Sequence, residues 1–257
     1  MKIKIQNMKN IENKGLILAA GRGSRMDHLT SDQPKCFTEL GGKRLIDWQL
    51  ESFDKASINK IAIVTGYLKE KFEAYEEIKF NNESWHETNM VSSLMKAASF
   101  IDSDTIVSYS DIVFHKNAVR NLIKYDGDIV LGYDKNWLDQ WKLRFEDPKE
   151  DAESFNLSEE NIVIDIGKEI NSTDQAKGQY TGLFKLTPAG IENIKETLSK
   201  YPGDESSLDM TALFQLMIKE GIKISAVEIE TDWFEVDTPT DLTIAEKLFN
   251  SGQLKIS

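Results

Sequence analysis

The chain has 257 residues, 40% of them hydrophobic and 29% charged, with a formal net charge of −12. That balance suits a folded protein with a sizeable core and excludes a disordered one; the acidic surface argues against a nucleic-acid partner, since displacing counterions needs a basic stripe. No apolar run reaches about 18 residues and the polar first residues lack the core of a signal peptide, so no membrane insertion is expected and the cytoplasm is the expected location; the lone cysteine, Cys36, excludes an internal disulfide or a CxxC zinc site.

Residues 1–14 are polar and weakly patterned and read as an extension or edge strand. GLILA at 15–19 reads as a buried first strand. It delivers a turn in which Gly21 and Gly23 are bracketed by Arg22 and Arg25. Such glycines let backbone N–H groups approach a phosphate closely, and guanidiniums supply planar donors to its oxygens. Neither GRGSRMDH nor LGGKRL has the spacing of a Walker A loop, and a dinucleotide fingerprint would need a small residue where Met26 stands. Leu45, Trp48, Gln49 and Phe53 then follow helical spacing, and 60–66 is a second buried strand, so the order strand, loop, helix, strand predicts a parallel unit. A short helix over 69–77, a strand at 78–81, a helix from Thr88 to 100 and a strand at 104–109 follow. Asp111 sits just past the carboxyl end of the last of these, where ligands of open α/β sheets collect.

Beyond Asp128 the texture changes. DIVLGYD, WKLRFED, ESFNL, NIVIDIG and GQYTGLFKL read as short strands joined by charged turns, which predicts antiparallel additions to the sheet. Helices over 188–200 and 208–219, a strand in KISAVEIE, the segment WFEVDTPTDL and a last helix through IAEKLF complete the chain. The expected organisation is one mixed α/β domain over 15–257, with a nucleotide-binding half at 15–127 and an acceptor and metal half at 128–257.

LAAGRGSR at 18–25, Leu29-Thr30 and Pro34-Lys35 together resemble the signature of sugar- and choline-phosphate nucleotidyltransferases, L-A-A-G-x-G-x-R, then L-T, then P-K. The chain looks most like the phosphocholine cytidylyltransferase branch, which includes enzymes acting on aminoethylphosphonate and phosphoglutamine. The resemblance implies a Rossmann-like, mostly parallel mixed sheet of the nucleotide-diphospho-sugar transferase type (GT-A-like). It also implies Mg²⁺-dependent transfer of CMP from CTP to a small phosphorylated or phosphonate acceptor, with pyrophosphate leaving, for decoration of a surface polysaccharide or a phospholipid-type molecule. Carried onto this chain, Ala19, Ala20, Gly21, Gly23 and Arg25 would hold the triphosphate, and Arg22 and Lys35 would be the catalytic cations. The acceptor phosphate is already an anion, so positioning and charge neutralisation must do most of the work.

Asp111 ends an apolar strand, where a carboxylate must find a cation or water; Glu235 and Asp237 alternate with Val236 and would face one side of a strand. In the family, acids at these places hold Mg²⁺. Asp237 could instead cap the helix at Thr238-Pro239, although Asp241 looks more like the cap itself. The segment 81–94 matches the position of the family's base-binding loop. Asn82 and Asn89 can donate and accept, as cytosine requires, with Thr88 either beside them or only a helix cap. For the acceptor, Trp137 and Trp141 share a face if helical and could clasp an ammonium, unless they are a packed core pair. Arg144 could pair with an acceptor carboxylate or phosphate, beside Tyr180; that arginine favours an amino-acid-like acceptor over phosphocholine. The alternatives are a sugar-1-phosphate nucleotidyltransferase and a catalytically silent nucleotide-binding regulator, which need not keep Arg22, Lys35, Asp111 and Asp237 together. A homodimer is left open.

Overall fold

The computed structural model describes residues 12–230 and 232–256, so most of the N-terminal extension expected at 1–14 lies outside the described residues. Strand β1 (Lys14–Ala19) alternates: Leu16 and Leu18 face one core, Ile17 and Ala19 the other, the period-two pattern of a strand buried on both sides. A hairpin of β2 (Glu39–Leu40) and β3 (Lys43–Arg44) leads into α1 (Leu45–Lys55), and β4 (Lys60–Thr65) and β5 (Ile78–Asn81) follow. Only a single 3₁₀ turn, Lys69–Phe72, forms where a longer helix over 69–77 was expected. Next come α2 (Met90–Lys96), β6 (Thr105–Tyr109), β7 (Ile112–Phe114), α3 (Lys116–Lys124) and β8 (Ile129–Asp134). Helix α2 starts two residues later than expected, because Asn89 rather than Thr88 caps it, accepting from Met90 N at 2.8 Å.

The stretch WKLRFED, expected as a strand, is instead the end of α4 (Trp137–Arg144). Its K-L-R-F alternation mimics a strand, but Trp137, Trp141 and Arg144 fall on one helical face and all three are buried. Then follow β9 (Glu153–Leu157), β10 (Val163–Glu169), β11 (Gln179–Leu186), α5 (Pro188–Lys200), α6 (Met210–Lys219), β12 (Ser225–Glu228), β13 (Trp233–Glu235) and α7 (Pro239–Asn250).

Among the described residues, seven strands form the central sheet in the order β12-β8-β11-β6-β1-β4-β5. All run parallel except β11, which lies antiparallel between β6 and β8. The fold is therefore a mixed, mostly parallel α/β sheet with antiparallel additions. Strands from residues before and after 128 share it. The chain winds from β1 toward β4 and β5, then crosses back to β6 on the other side of β1, so the sheet's switch point lies beside β1, where such folds bind ligands. Helices α2, α5 and α6 cover one face; α1, α3 and α4 cover the other. A smaller core packs Met26, Trp48, Val113, Phe234 and Ala245 together, and this fixes α7 against the loop after β1.

Candidate active site

The loop after β1 depends on Gly23. Its φ of +70° is a left-handed conformation, and a Cβ there would fall 2.4 Å from the side chain of Lys35. The glycine thus makes room for the lysine's stem to pass beneath the loop. Gly21 has open space around it, and Arg22 and Arg25 are exposed, Arg22 lying 5.8 Å from the centroid of the Tyr67 ring. The hydroxyl of Tyr67 donates to the carbonyls of Thr30 (3.0 Å) and Ser31 (2.8 Å), tying the far end of the loop to the turn after β4. Ala19 and Ala20 are buried beneath it.

Lys35 is not solvated; it is 6% exposed. Its ammonium donates to Asp111 Oδ2 at 2.7 Å and to Asp237 Oδ1, while Arg25 reaches Asp237 Oδ2 at 2.6 Å. Burial alone would lower the lysine's pKa, but the charges and hydrogen bonds of the two aspartates outweigh it and hold the ammonium above its ordinary range. The two aspartates meet because β13 pairs antiparallel with β7, Glu235 opposite Ile112, and Val236 N donates to Asp111 O at 2.8 Å. Gln49, which sequence reasoning read only as part of a helical face, braces that corner. Its amide donates to the carbonyls of Tyr109 (2.9 Å) and Ile112 (2.6 Å) and accepts from Ser108 Oγ (2.8 Å), clamping the turn that carries Asp111.

Among the described residues Asp111 Oδ1 is buried without a hydrogen-bond partner, and its other oxygen shares one ammonium with Asp237. Two oxygen-donor carboxylates around one small cation are a donor set that suits Mg²⁺, which commonly completes its shell with water and phosphate oxygens. Glu235, expected as a third ligand, does not join them: among the described residues no three His, Cys, Asp or Glu side chains converge on one point. It faces Arg144 instead, Oε2 lying 2.8 Å from Nη1. Burial pushes its pKa up to about 7, with the neighbouring charges of Asp111 and Asp237 adding and Arg144 and Lys35 opposing.

A cleft of about 110 Å³ opens between the loop and α2, lined by Leu18, Gly21, Trp85, Thr88, Asn89 and Ser93. Asn82 lies behind this wall, donating to Thr88 Oγ1 (2.9 Å) and Ser93 Oγ (3.0 Å), with its own Oδ1 buried and unpartnered. Asn89 is both rim and helix cap.

On the other side of Arg25, a cavity of about 270 Å³ is walled by the aromatic rings of Tyr109, Trp141, Tyr180 and Trp233. Four acids, Asp151, Glu153, Asp209 and Glu235, also line it, and among the described residues the one cation on its wall is Arg25. Burial raises the pKa of Asp151 and of Glu153, and the charge of Asp209 adds to the rise at Glu153. Of the four expected acceptor residues, Trp141 and Tyr180 face this cavity. Trp137 does not; it packs edge to face on Trp141 at 5.7 Å and donates to Ala176 O, as a core pair does. Arg144 does not either. Its side chain is 1% exposed, with Nε on Asp241 and Nη1 2.8 Å from Glu235, and it does not line the cavity. Asp241 is not itself the helix cap: Thr238 is, and Asp241 completes the capping box from the third position of α7. The acids Asp151, Glu153 and Asp209 and the ring of Trp233 carry no local motif and were not foreseen.

A cationic glycine loop at the switch point, a buried lysine between two carboxylates and a separate side chamber define a site for nucleotidyl transfer. The chain belongs to the MobA-like NTP transferases and is a nucleotidyltransferase: that family's domain matches residues 15–141, and the relatives extend the match over most of the chain. It is 34% identical to CTP:phosphoglutamine cytidylyltransferase of Campylobacter jejuni, over 89% of this chain and 97% of that one. It is 33% identical to choline-phosphate cytidylyltransferase of Streptococcus pneumoniae, over 93% and 99% of the two chains. Among solved structures, the inositol-1-phosphate CTP transferase from T. maritima superposes with a TM-score of 0.73 at 22% identity, covering 96% of this chain and 98% of that one, and so shares the fold.

Proposed function

We propose that the protein transfers a cytidylyl group from CTP to a small phosphorylated or phosphonate acceptor that carries an ammonium group, releasing pyrophosphate. The choice of CTP is supported by the two relatives at 34% and 33% identity, both cytidylyltransferases. The ammonium is supported by one observation: the chamber beside the phosphate loop combines four aromatic rings with four acids, three of which burial holds above the ordinary carboxylate range. A cation entering it would find π-faces and, in Asp151, Glu153 and Asp209, carboxylates that have no ion-pair partner among the described residues.

In this reading the backbone of 20–23 with Arg22 and Arg25 cradles the triphosphate, and the cleft under Trp85 takes the base. Lys35 leaves the aspartates and turns to the α-phosphate, where negative charge gathers in the transition state. Asp111 and Asp237 would hold Mg²⁺, which when bound neutralises phosphate oxygens of the triphosphate. The acceptor's anionic end attacks in line from the chamber mouth, with its ammonium held by Trp141, Trp233 and the acids.

The test is pyrophosphate release with each of the four common ribonucleoside triphosphates, Mg²⁺, and a panel of phosphocholine, aminoethylphosphonate, phosphoglutamine and sugar 1-phosphates. Release with CTP and an amine-bearing acceptor is expected. Release with sugar 1-phosphates alone would establish the runner-up, a sugar-1-phosphate nucleotidyltransferase. Triphosphate binding without release on any acceptor would favour a silent regulator.

A further inference from the structure

We infer that Arg144 and Asp241 form a positioning pair that fixes the carboxylates of Glu235 and Asp237 while the other cations of the site leave them for the substrate; this rests on the nucleotidyl-transfer reading above. Asp241 is 2% exposed and every contact it makes serves the acid loop. Its Oδ2 accepts from the backbone N of Asp237 (3.2 Å), from Thr238 N (2.8 Å) and from Thr238 Oγ1 (2.9 Å). Its Oδ1 accepts from Arg144 Nε at 2.8 Å, and the far end of the same guanidinium lies 2.8 Å from Glu235. One planar fork therefore spans the end of β13 and the first turn of α7, with Asp237 held between its two anchors.

Stability alone does not require this arrangement. The capping box of α7 is complete with Thr238 and Asp241, and burying a guanidinium costs several kcal/mol, often not recovered, where apolar side chains could fill the space. What the pair supplies is location. Arg25 has a side chain 66% exposed and is free to swing toward a phosphate, and Lys35 sits at the site itself. Arg144 is enclosed and cannot follow them. When Arg25 and Lys35 turn to the triphosphate, it remains as the counter-charge that keeps the acids in place. It also lies 5.1 Å from the ring of Trp141, so the same group supports the wall of the acceptor chamber.

Arg144→Lys keeps the charge but loses the fork; Asp241→Asn keeps a capping oxygen but removes the counter-charge. Mn²⁺ uptake by the full chain in the presence of CTP, measured as loss of the free-ion electron paramagnetic resonance signal beyond that caused by the same CTP without protein, should weaken about tenfold or more in both, as when outer-shell partners of metal ligands are changed. The Mg²⁺ concentration for half-maximal turnover should rise in step. Wild-type Mn²⁺ uptake in variants that merely melt at lower temperature would overturn the inference. Should Arg144→Lys fail to fold, Asp241→Asn decides on the same readout. If the wild-type protein itself takes up no Mn²⁺ with CTP, the metal assignment falls and this inference with it.

Discussion

The two halves of the site hold their charges in opposite ways. Around the glycine loop the cations are held so that they can leave: Arg22 and Arg25 are exposed, and Lys35 sits between two carboxylates that compete for it. Around the acceptor chamber the charges are more confined, with Arg144 locked between Glu235 and Asp241, Asp151, Glu153 and Glu235 half-buried beside aromatic rings, and Asp209 at the exposed rim. A ligand that brings several negative charges is met by mobile cations. A ligand expected to bring one positive charge is met by fixed acids, whose cost of burial falls when it arrives.

The sharpest way to break this contrast is to remove the mobile charge. Lys35→Met should lower kcat by about a hundredfold or more, the scale seen when a preorganised transition-state donor is lost, while leaving CTP affinity nearly unchanged. Steady-state and single-turnover kinetics read this directly, and unchanged turnover would reduce Lys35 to a structural counter-ion.

Strands from both halves share one sheet, and the stability of the chain should show it. Phe184 is fully buried on β11, between strands from either side of residue 128. Phe184→Ala should cost about 3–5 kcal/mol in a single unfolding transition. Two separate transitions in denaturant would show that the halves fold apart.

Changing a fixed charge should cost less and only on one side. Glu153→Gln keeps the shape of the chamber wall but removes a carboxylate, and acceptor kcat/KM should fall about ten- to a hundredfold, the worth of one charged contact of roughly 1.5–3 kcal/mol. The KM for CTP should stay within about twofold; equal losses for both substrates would dissolve the division.

The smallest effect is a slope in pH. Because Glu235 is held at about 7 against an ordinary 4.5, the folded protein keeps a proton that the unfolded chain has released in that window. The stability this group contributes is complete below about pH 4.5 and is lost as pH rises through about 7. Glu235→Gln should flatten this part of the stability profile measured by denaturant titration; an unaltered slope would place the titration elsewhere.

The same contrast explains what the sequence could and could not say. The phosphate loop is legible because its parts are close in sequence: strand, glycines, arginines and Pro-Lys fall within 21 residues of one another, from Gly15 to Lys35. Asp111 was legible as a carboxylate stranded at a strand end. Which lysine matters was not: Lys14 and Lys185 are also buried, Lys14 at the opposite end of β1 from the site, where it bonds Phe100 O. The acceptor chamber was the least legible part, because it is made by pairings across long separations. Arg144 meets Asp241 97 residues later, and no local spacing shows that its fork is already taken. Read alone, an arginine beside two tryptophans suggests an anion reader. Once folded it belongs to the acids, and the reason for disfavouring phosphocholine disappears with it.

The most direct test of the central claim, that the fixed acids and rings await a positive charge, compares phosphocholine with its neutral carbon isostere, 3,3-dimethylbutyl phosphate, as acceptors at saturating CTP and Mg²⁺. The two share shape and phosphate and differ by one charge. The kcat/KM for the isostere should be lower by at least about tenfold, and Glu153→Gln should narrow the gap. Equal use of the two acceptors, with the gap absent in the wild-type protein, would contradict it.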